Sequence, residues 1–264
     1  MSRAPCDPVL ASGWLRGLTG LGLYGSLRGL GMIAVYEGSS ASMVGVAELV
    51  AAHFDGWRGA GPKLIAITGS VAVGKSTFAN ALCAELMRVS GQRGEVVATD
   101  GFLRSEPELS QVGLLERKGF PESYDAARFS AFLAEVARGA ARLHVPVYSH
   151  RTRAADEERE LTLPDWLLIE GVYAAQPIRE AGLHAYAIFV AAAPDDVRTW
   201  YFARRRVLRD AGADHVALDV LAQRAWDVTN VPNFEQHISP QRALADLVVE
   251  KAADHALVRC VRRG

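Results

Sequence analysis

The amino-acid sequence predicts an α/β protein whose parallel β-sheet is covered by helices on both faces. Short apolar, β-branched segments at 63–68, 95–99 and 166–169 have the composition of buried parallel strands. Apolar residues recur at helical spacing in 76–88 and 126–138, which follow the first two of these segments. Strands that alternate with helices along a chain are typical of parallel sheets.

The composition agrees with one large domain or two small ones. The chain has 264 residues, of which 50% are hydrophobic and 22% are charged, as is ordinary for a globular protein. Its net charge of −1 provides no basic surface, so we expect no nucleic-acid partner. Cys6, Cys83 and Cys260 are far apart, which suggests neither a zinc site nor a disulfide framework and favours the reducing cytoplasm.

The first 42 residues are patterned differently from the rest of the chain. They are rich in Gly, Leu and Ser, and Arg16 and Arg28 interrupt the apolar stretch at 9–36, which argues against a membrane span or a signal peptide. Regular apolar periodicity begins near Met43. We therefore predict a poorly patterned leader at 1–42, either a flexible extension or an over-long gene start, and a single domain at 43–264.

A glycine-rich loop separates the first strand from its helix. It fits the phosphate-binding pattern G-x-x-x-x-G-K-[ST] without a mismatch, in the strand–loop–helix context that P-loop NTPases share. Backbone N–H groups of such a loop and the start of the helix bind phosphates. Lys75 would reach the β- and γ-phosphates of ATP, and the Ser76 hydroxyl would bind Mg²⁺. The residues of the predicted ATP-binding loop are Gly69, Ser70, Val71, Ala72, Val73, Gly74, Lys75, Ser76 and Thr77.

Acidic residues follow the ends of two predicted strands, Asp100 after 95–99 and Glu170 after 166–169. Ligands of open parallel sheets bind beyond the carboxyl ends of the strands, so both carboxylates are placed for chemistry. Glu170 has the Walker B position, from which it would hold Mg²⁺ directly or through water. Asp100 alone would also suit a helix cap or a turn.

The remaining segments extend the alternation of strands and helices. The segment at 106–119 is polar, and we expect it to be irregular and mobile. The other predicted elements are helices at 43–57, 194–210 and 218–228, the last ended by 230–233, an extended segment at 144–150, a charged hairpin or loop at 151–160, and strands at 185–191 and 245–249. The helix at 194–210 carries five arginines, which suit a solvated face. Alternatively, Arg204 and a neighbour lie over the triphosphate and offset charge at the γ-phosphoryl group.

Together these motifs resemble the bacterial type I pantothenate kinases, within the phosphoribulokinase/uridine kinase group of P-loop kinases. The resemblance covers roughly residues 61–256. The matching segments are 69–77, 99–103, 118–125, 146–150, 168–171 and 199–201, followed by the weaker pattern Asn230-x-x-Asn233…Ile238-x-Pro240.

The resemblance implies an ATP-dependent kinase that phosphorylates the primary hydroxyl of pantothenate, the first step of coenzyme A biosynthesis. It implies that Asp100 is the catalytic base, with Lys75, Mg²⁺ and Arg204 providing most of the rate enhancement through positioning and charge. It also implies a homodimer with a small-molecule substrate, while the cysteines and the composition predict a cytoplasmic protein with no membrane partner. The residues expected to contact that substrate are Asp100, Tyr148, His150, Tyr201 and Asn230.

Some positions depart from the family pattern. Arg205 and Leu208 stand where the family has phenylalanines that pack on pantothenate, and Asn80 replaces an arginine that meets the phosphates of the nucleotide or of coenzyme A. A cation in the acceptor pocket favours the alternative of another hydroxyl acceptor, such as a nucleoside, glycerate, a sugar or a sugar phosphate. The loss of the arginine suggests weaker inhibition by coenzyme A. A nucleotide-dependent binding or regulatory module without transfer is the remaining alternative.

Overall fold

The computed structural model describes residues 34–37, 41–149, 154–207 and 215–263. The strands among them are β1 (Ala34–Glu37), β2 (Lys63–Gly69), β3 (Gly94–Ala98), β4 (Arg142–Ser149), β5 (Ala154–Thr162), β6 (Trp166–Glu170), β7 (Ala185–Ala192), β8 (Leu247–Lys251) and β9 (Leu257–Arg262). The α-helices of six or more residues are α1 (Met43–His53), α2 (Lys75–Ser90), α3 (Glu106–Gln111), α4 (Ala126–Ala137), α5 (Ala175–Glu180), α6 (Pro194–Val207) and α7 (His215–Ala225).

A seven-stranded, mostly parallel sheet forms the centre of the described structure, in the order β1-β9-β8-β7-β2-β6-β3. The five strands from β8 to β3 are parallel, whereas β9 and β1 are antiparallel additions at one edge. Strands β4 and β5 form a separate antiparallel hairpin. The predicted α/β fold is therefore confirmed, whereas the prediction of a hairpin or loop within 151–160 is wrong for its described part, which belongs to the single strand β5.

Successive residues of the central strand β2 face opposite layers, because side chains alternate along a strand. Ile65 and Ile67 pack in a core that includes residues of α1, α2 and α6. Leu64 and Ala66 pack in a second core built with α4 and α5 on the other face. Helices thus cover both faces of the sheet, as predicted. Among the described residues, no helix is long and apolar enough to cross a membrane.

Two helical segments differ from the sequence prediction. The expectation of an irregular segment at 106–119 is wrong at its start, where α3 begins with a capping box in which the Ser105 and Glu108 side chains each bond the other's backbone N–H. The predicted helix end at 230–233 is also wrong, because helical turns continue through Trp226–Asn230, Val231–Asn233 and Phe234–Ile238. Pro232 is tolerated because it lies in the first turn of a new helical register, where its missing N–H is least needed.

Strands β9 and β1 were not predicted. β1 lies within the segment assigned to the leader and pairs with β9, with Tyr36 opposite Cys260. Residues 1–33 and 38–40 of that leader lie outside the described residues. The predicted division of the chain into a leader and one domain stays a prediction.

A histidine pair joins α1 to the start of β7. His53, in the last turn of α1, has its Nε2 atom 3.2 Å from Nε2 of His184. Trp57 stacks on His184 with ring centroids 5.3 Å apart. Burial and the neighbouring His184 lower the pKa of His53, while Asp246 opposes this shift and Arg262 adds to it. The folded protein therefore favours the neutral form of His53.

This shift predicts a loss of stability in mild acid. Because the pKa of His53 is lower in the folded state than in the unfolded state, its contribution is complete above the unfolded value of about 6.5 and is lost as the pH falls below it. The free energy of unfolding, measured by urea denaturation from pH 7.5 to 5, should therefore decline less in His53→Gln than in the wild type. His144→Gln, on the exposed part of β4, is the control and should decline like the wild type. Parallel curves for His53→Gln and the wild type would contradict the prediction.

Candidate active site

The phosphate loop lies between the end of β2 and the start of α2, where the sequence predicted it. Gly69 ends β2 with a φ of +149°, and a Cβ atom there would lie 2.3 Å from the Val190 carbonyl oxygen of β7. Only glycine fits this close approach. The loop thereby packs against the sheet and directs the N-terminus of the 16-residue helix α2 toward the carboxyl edge of the strands.

Lys75 and Ser76 begin α2, and both side chains turn toward the site. The buried Lys75 ammonium donates to the Ser70 carbonyl oxygen at 2.9 Å, inside the loop. The Ser76 hydroxyl donates to Oε1 of Glu170 at 2.7 Å. The structure therefore brings together the two residues that the sequence named for Mg²⁺. One hydroxyl and one carboxylate oxygen fit this hard cation, which prefers oxygen ligands and keeps several of its waters.

Four charged groups influence one another in this site. Burial lowers the pKa of Lys75, whereas the charges of Glu170 and Asp100 raise it and that of Arg204 lowers it further. Burial also raises the pKa of Glu170, which Lys75 opposes and Asp100 reinforces. Both shifts have the same leading cause, the removal of a charged group from water. Asp100 and Arg204 are thus close enough to the phosphate loop to act on it electrostatically.

Asp100 lies in the turn Thr99–Phe102, directly beyond the end of β3. It is half-buried, and its charge acts on Lys75, Glu170 and Tyr124, so its carboxylate faces the site. The structure therefore places Asp100 in a turn that lies beside the phosphate loop.

The predicted acceptor residues lie on separate elements of the described structure. Tyr148, on β4, lies under the Lys118 ammonium, which is 5.3 Å from the ring centroid. The Tyr201 hydroxyl connects α6 to α7 through the Ala222 carbonyl oxygen at 3.4 Å and accepts a hydrogen bond from Nη2 of Arg205 at 3.2 Å. His150 and Leu208 lie outside the described residues.

Asn230 is half-buried in a helical turn, whereas Asn233, one turn later, is buried. The Asn233 amide donates to the Gly119 carbonyl oxygen at 2.8 Å, so it joins the segment 118–125. Its carbonyl oxygen is buried and has no hydrogen-bond partner among the described residues. The sequence pattern contained both asparagines but gave no reason to prefer the second.

The sequence analysis missed Lys251, at the end of β8. Its ammonium donates to the Val73 carbonyl oxygen of the phosphate loop at 3.1 Å and lies 5.7 Å from the centroid of the Trp200 ring. Burial lowers its pKa. The only signal in the sequence was a lysine at the end of an apolar strand. The structure explains its position, because β8 pairs in parallel with β7 and so ends at the same edge of the sheet.

The fold and the site define a kinase with a P-loop. Residues 64–258 match the Phosphoribulokinase / Uridine kinase family, and the chain belongs to that family. Membership implies ATP as the phosphoryl donor.

Its relatives agree with the resemblance seen in the sequence. A pantothenate kinase of Corynebacterium diphtheriae is 38% identical over 218 residues, covering 75% of this chain and 70% of the relative. A pantothenate kinase of Streptomyces coelicolor is 37% identical over 225 residues, covering 75% of this chain and 68% of the relative. The predicted similarity to the bacterial pantothenate kinases is confirmed.

Solved structures show the same fold. A candidate fructose transport system kinase from Silicibacter sp. TM1040 has a TM-score of 0.61 at 25% identity and covers 74% of this chain and 92% of its own. D-glycerate 3-kinase from Cryptococcus neoformans has a TM-score of 0.58 at 14% identity and covers 84% of this chain and 97% of its own.

The close contact between the ends of β3 and β6 predicts that Gly171→Ala disrupts the site. A Cβ atom on Gly171 would lie 1.7 Å from Oγ1 of Thr99, so either Thr99 or Glu170 must move. We expect ATP turnover to fall at least about tenfold and the free energy of unfolding to fall by about 1–3 kcal/mol, as in overpacked sites. Steady-state kinetics and urea denaturation measure the two effects.

Gly91→Ala is the matched control for Gly171→Ala. Gly91 caps the far end of α2 with a φ of +68° and has open space around it. Alanine there should destabilise the fold by about 1–2 kcal/mol through its left-handed backbone but leave turnover unchanged. Full activity in Gly171→Ala would contradict the predicted rearrangement.

Proposed function

We propose that this protein transfers the γ-phosphoryl group of ATP to the primary hydroxyl of pantothenate. The observation that carries the proposal is the convergence of Lys75, Ser76, Glu170 and Asp100 at one edge of the parallel sheet. The relatives named pantothenate kinase, at 36–38% identity over most of the chain, support the choice of acceptor.

In this proposal the loop residues 69–77 bind the triphosphate through backbone N–H groups and the Lys75 ammonium. Ser76 and Glu170 would hold Mg²⁺, which when bound neutralises charge on the β- and γ-phosphates. Lys75 and Arg204 would offset the remaining charge as it builds up on the transferred group. The effect of Arg204 on the pKa values of both Lys75 and Glu170 supports its place near the triphosphate.

Asp100 is the proposed base. It would accept the proton of the acceptor hydroxyl as the hydroxyl oxygen attacks the γ-phosphorus, and its position beyond β3 supports this role. The proposed acceptor pocket contains Tyr148, His150, Tyr201 and Asn230 from the sequence analysis, and the structure adds Asn233 to the proposal. A homodimer, a cytoplasmic location and the absence of nucleic-acid and membrane partners stay predictions.

The proposal is tested by ADP release from ATP with Mg²⁺ and a panel of acceptors. Pantothenate should support turnover above that seen with uridine, glycerate or ribulose 5-phosphate. Asp100→Asn should lower the turnover number by about 10²–10⁴-fold, because it removes the base but preserves the shape of the side chain.

Asp125→Asn, at the N-cap of α4, is the matched acid-to-amide control and should keep its turnover. If pantothenate supports no turnover while another acceptor does, the choice of acceptor is wrong. If ADP release needs no acceptor at all, transfer to a small-molecule hydroxyl is wrong.

A second candidate, a kinase for a more anionic hydroxyl acceptor, is favoured by Arg205. Its guanidinium bonds the Tyr201 hydroxyl through Nε at 3.3 Å and Nη2 at 3.2 Å and lies 5.4 Å from the centroid of the Tyr201 ring. A cation hydrogen-bonded to a proposed acceptor residue suits a carboxylate or phosphate group on the acceptor. Glycerate and sugar phosphates belong to this class.

Substitution of Arg205 separates the two candidates. If the acceptor is strongly anionic, Arg205→Phe should lower kcat/KM for glycerate or ribulose 5-phosphate at least about tenfold, because a charge-assisted contact of about 1.5–3 kcal/mol is lost. Arg205→Lys keeps the charge and should lose less. The acceptor panel measures both variants against the wild type. An unchanged acceptor profile in Arg205→Phe would exclude this role.

A further inference from the structure

Tyr124 is held next to the turn that carries Asp100. Its backbone forms an antiparallel bridge with Leu103, just beyond the turn Thr99–Phe102. On either side of this bridge, Asp125 N–H donates to the Phe102 carbonyl oxygen at 2.8 Å, and Arg104 N–H donates to the Ser123 carbonyl oxygen at 3.0 Å. The tyrosine and the turn therefore form one fixed unit.

The phenol of Tyr124 lies near both carboxylates of the site. Its side chain is buried, and its aromatic ring packs in the core formed with α4 and α5. Burial raises the pKa of Tyr124 well above its ordinary value, and the negative charges of Asp100 and Glu170 raise it further, while the Thr99 hydroxyl opposes the shift. The negative charges of the two acids thus act on the Tyr124 phenol, which is shielded from water.

The Tyr124 and Thr99 hydroxyl groups are both buried and act on each other, but neither completes a hydrogen bond within the described part of the chain. A buried hydroxyl without a partner destabilises a folded protein. Phenylalanine would fill the same space without this penalty, so packing alone does not explain the hydroxyl of Tyr124. Thr99 packs against Gly171, the residue after Glu170, which places its hydroxyl between the ends of β3 and β6.

We propose that Tyr124 is a positioning residue for the phosphoryl transfer, with Thr99 as its partner. A buried hydroxyl dipole acts strongly on neighbouring charges, because little water competes with it. The field of Asp100 and Glu170 orients the phenol O–H toward them. This dipole keeps the Asp100 carboxylate directed at the acceptor hydroxyl.

The inference rests on the proposed function, because it concerns the transfer step itself. In that step the acceptor oxygen forms a bond to the γ-phosphorus, and its proton passes to Asp100. The bond between the γ-phosphorus and the bridging oxygen breaks, and ADP keeps the electron pair. Tyr124 exchanges no proton in this step. Its effect should therefore appear in the rate of transfer and not in substrate binding.

The test is Tyr124→Phe, measured with whichever acceptor supports wild-type turnover. We expect kcat to fall about 10–100-fold, with the KM values for ATP and the acceptor within about twofold of the wild type. The melting temperature should stay equal or rise, since the variant loses a buried hydroxyl and keeps its ring. Thr99→Val should lower kcat in the same direction, and Thr99→Ser, which keeps the hydroxyl, should restore most of it.

Tyr186→Phe is the matched control, because Tyr186 is a buried tyrosine in the core on the other face of the sheet. It should leave kcat unchanged. Wild-type kcat in Tyr124→Phe would overturn the inference, as would a fall in kcat accompanied by equal rises in KM and a lower melting temperature. A wild type that prefers another acceptor to pantothenate refutes the proposed acceptor but leaves this comparison intact.

Discussion

The parallel pairing of β2, β6 and β3 is the constraint on which the rest of the site depends. Glu170 lies opposite Ile67 of β2 on one side and opposite Ala98 of β3 on the other. This register ends the three strands at one edge of the sheet. It brings Ser76 and Glu170, which are 94 residues apart in sequence, within a 2.7 Å hydrogen bond. A slip of β2 against β6 would separate the phosphate loop from both carboxylates, and a slip of β3 would move Asp100 away from Glu170.

Burial shifts the pKa values of the charged groups at this edge of the sheet, and it lowers the stability of the folded protein. It shifts the pKa of Lys75 downward and that of Glu170 upward, so both charged forms are disfavoured by loss of water and supported by each other. The Thr99 and Tyr124 hydroxyl oxygens beside this edge are also buried without a hydrogen-bond partner among the described residues. Such groups concentrate at functional sites, where the surrounding fold supplies the stability. Here two apolar cores on opposite faces of β2 provide it.

The sequence predicted the parallel core well because its signals are local. A buried strand is a short apolar run, a phosphate loop has a fixed glycine spacing, and the Asp125 side chain that caps α4 acts three residues ahead, on the Arg128 N–H. β9 and β1 were missed because they are short antiparallel strands at an edge, where pairing with β8 and with each other creates the strand. The helical turns through 230–233 were missed because Pro232 is a strong breaker signal whose effect depends on register.

The sequence by itself determined the phosphate loop, its lysine and serine, and the acids that follow β3 and β6, since each depends on the spacing of a few consecutive residues. Only the tertiary structure identified Lys251 beside Val73, Asn233 beside Gly119, and Tyr124 near the two acids. These contacts depend on which strands and turns become neighbours. Which strands and turns become neighbours is decided by the burial of apolar residues from the whole chain. No short stretch of sequence encodes that arrangement.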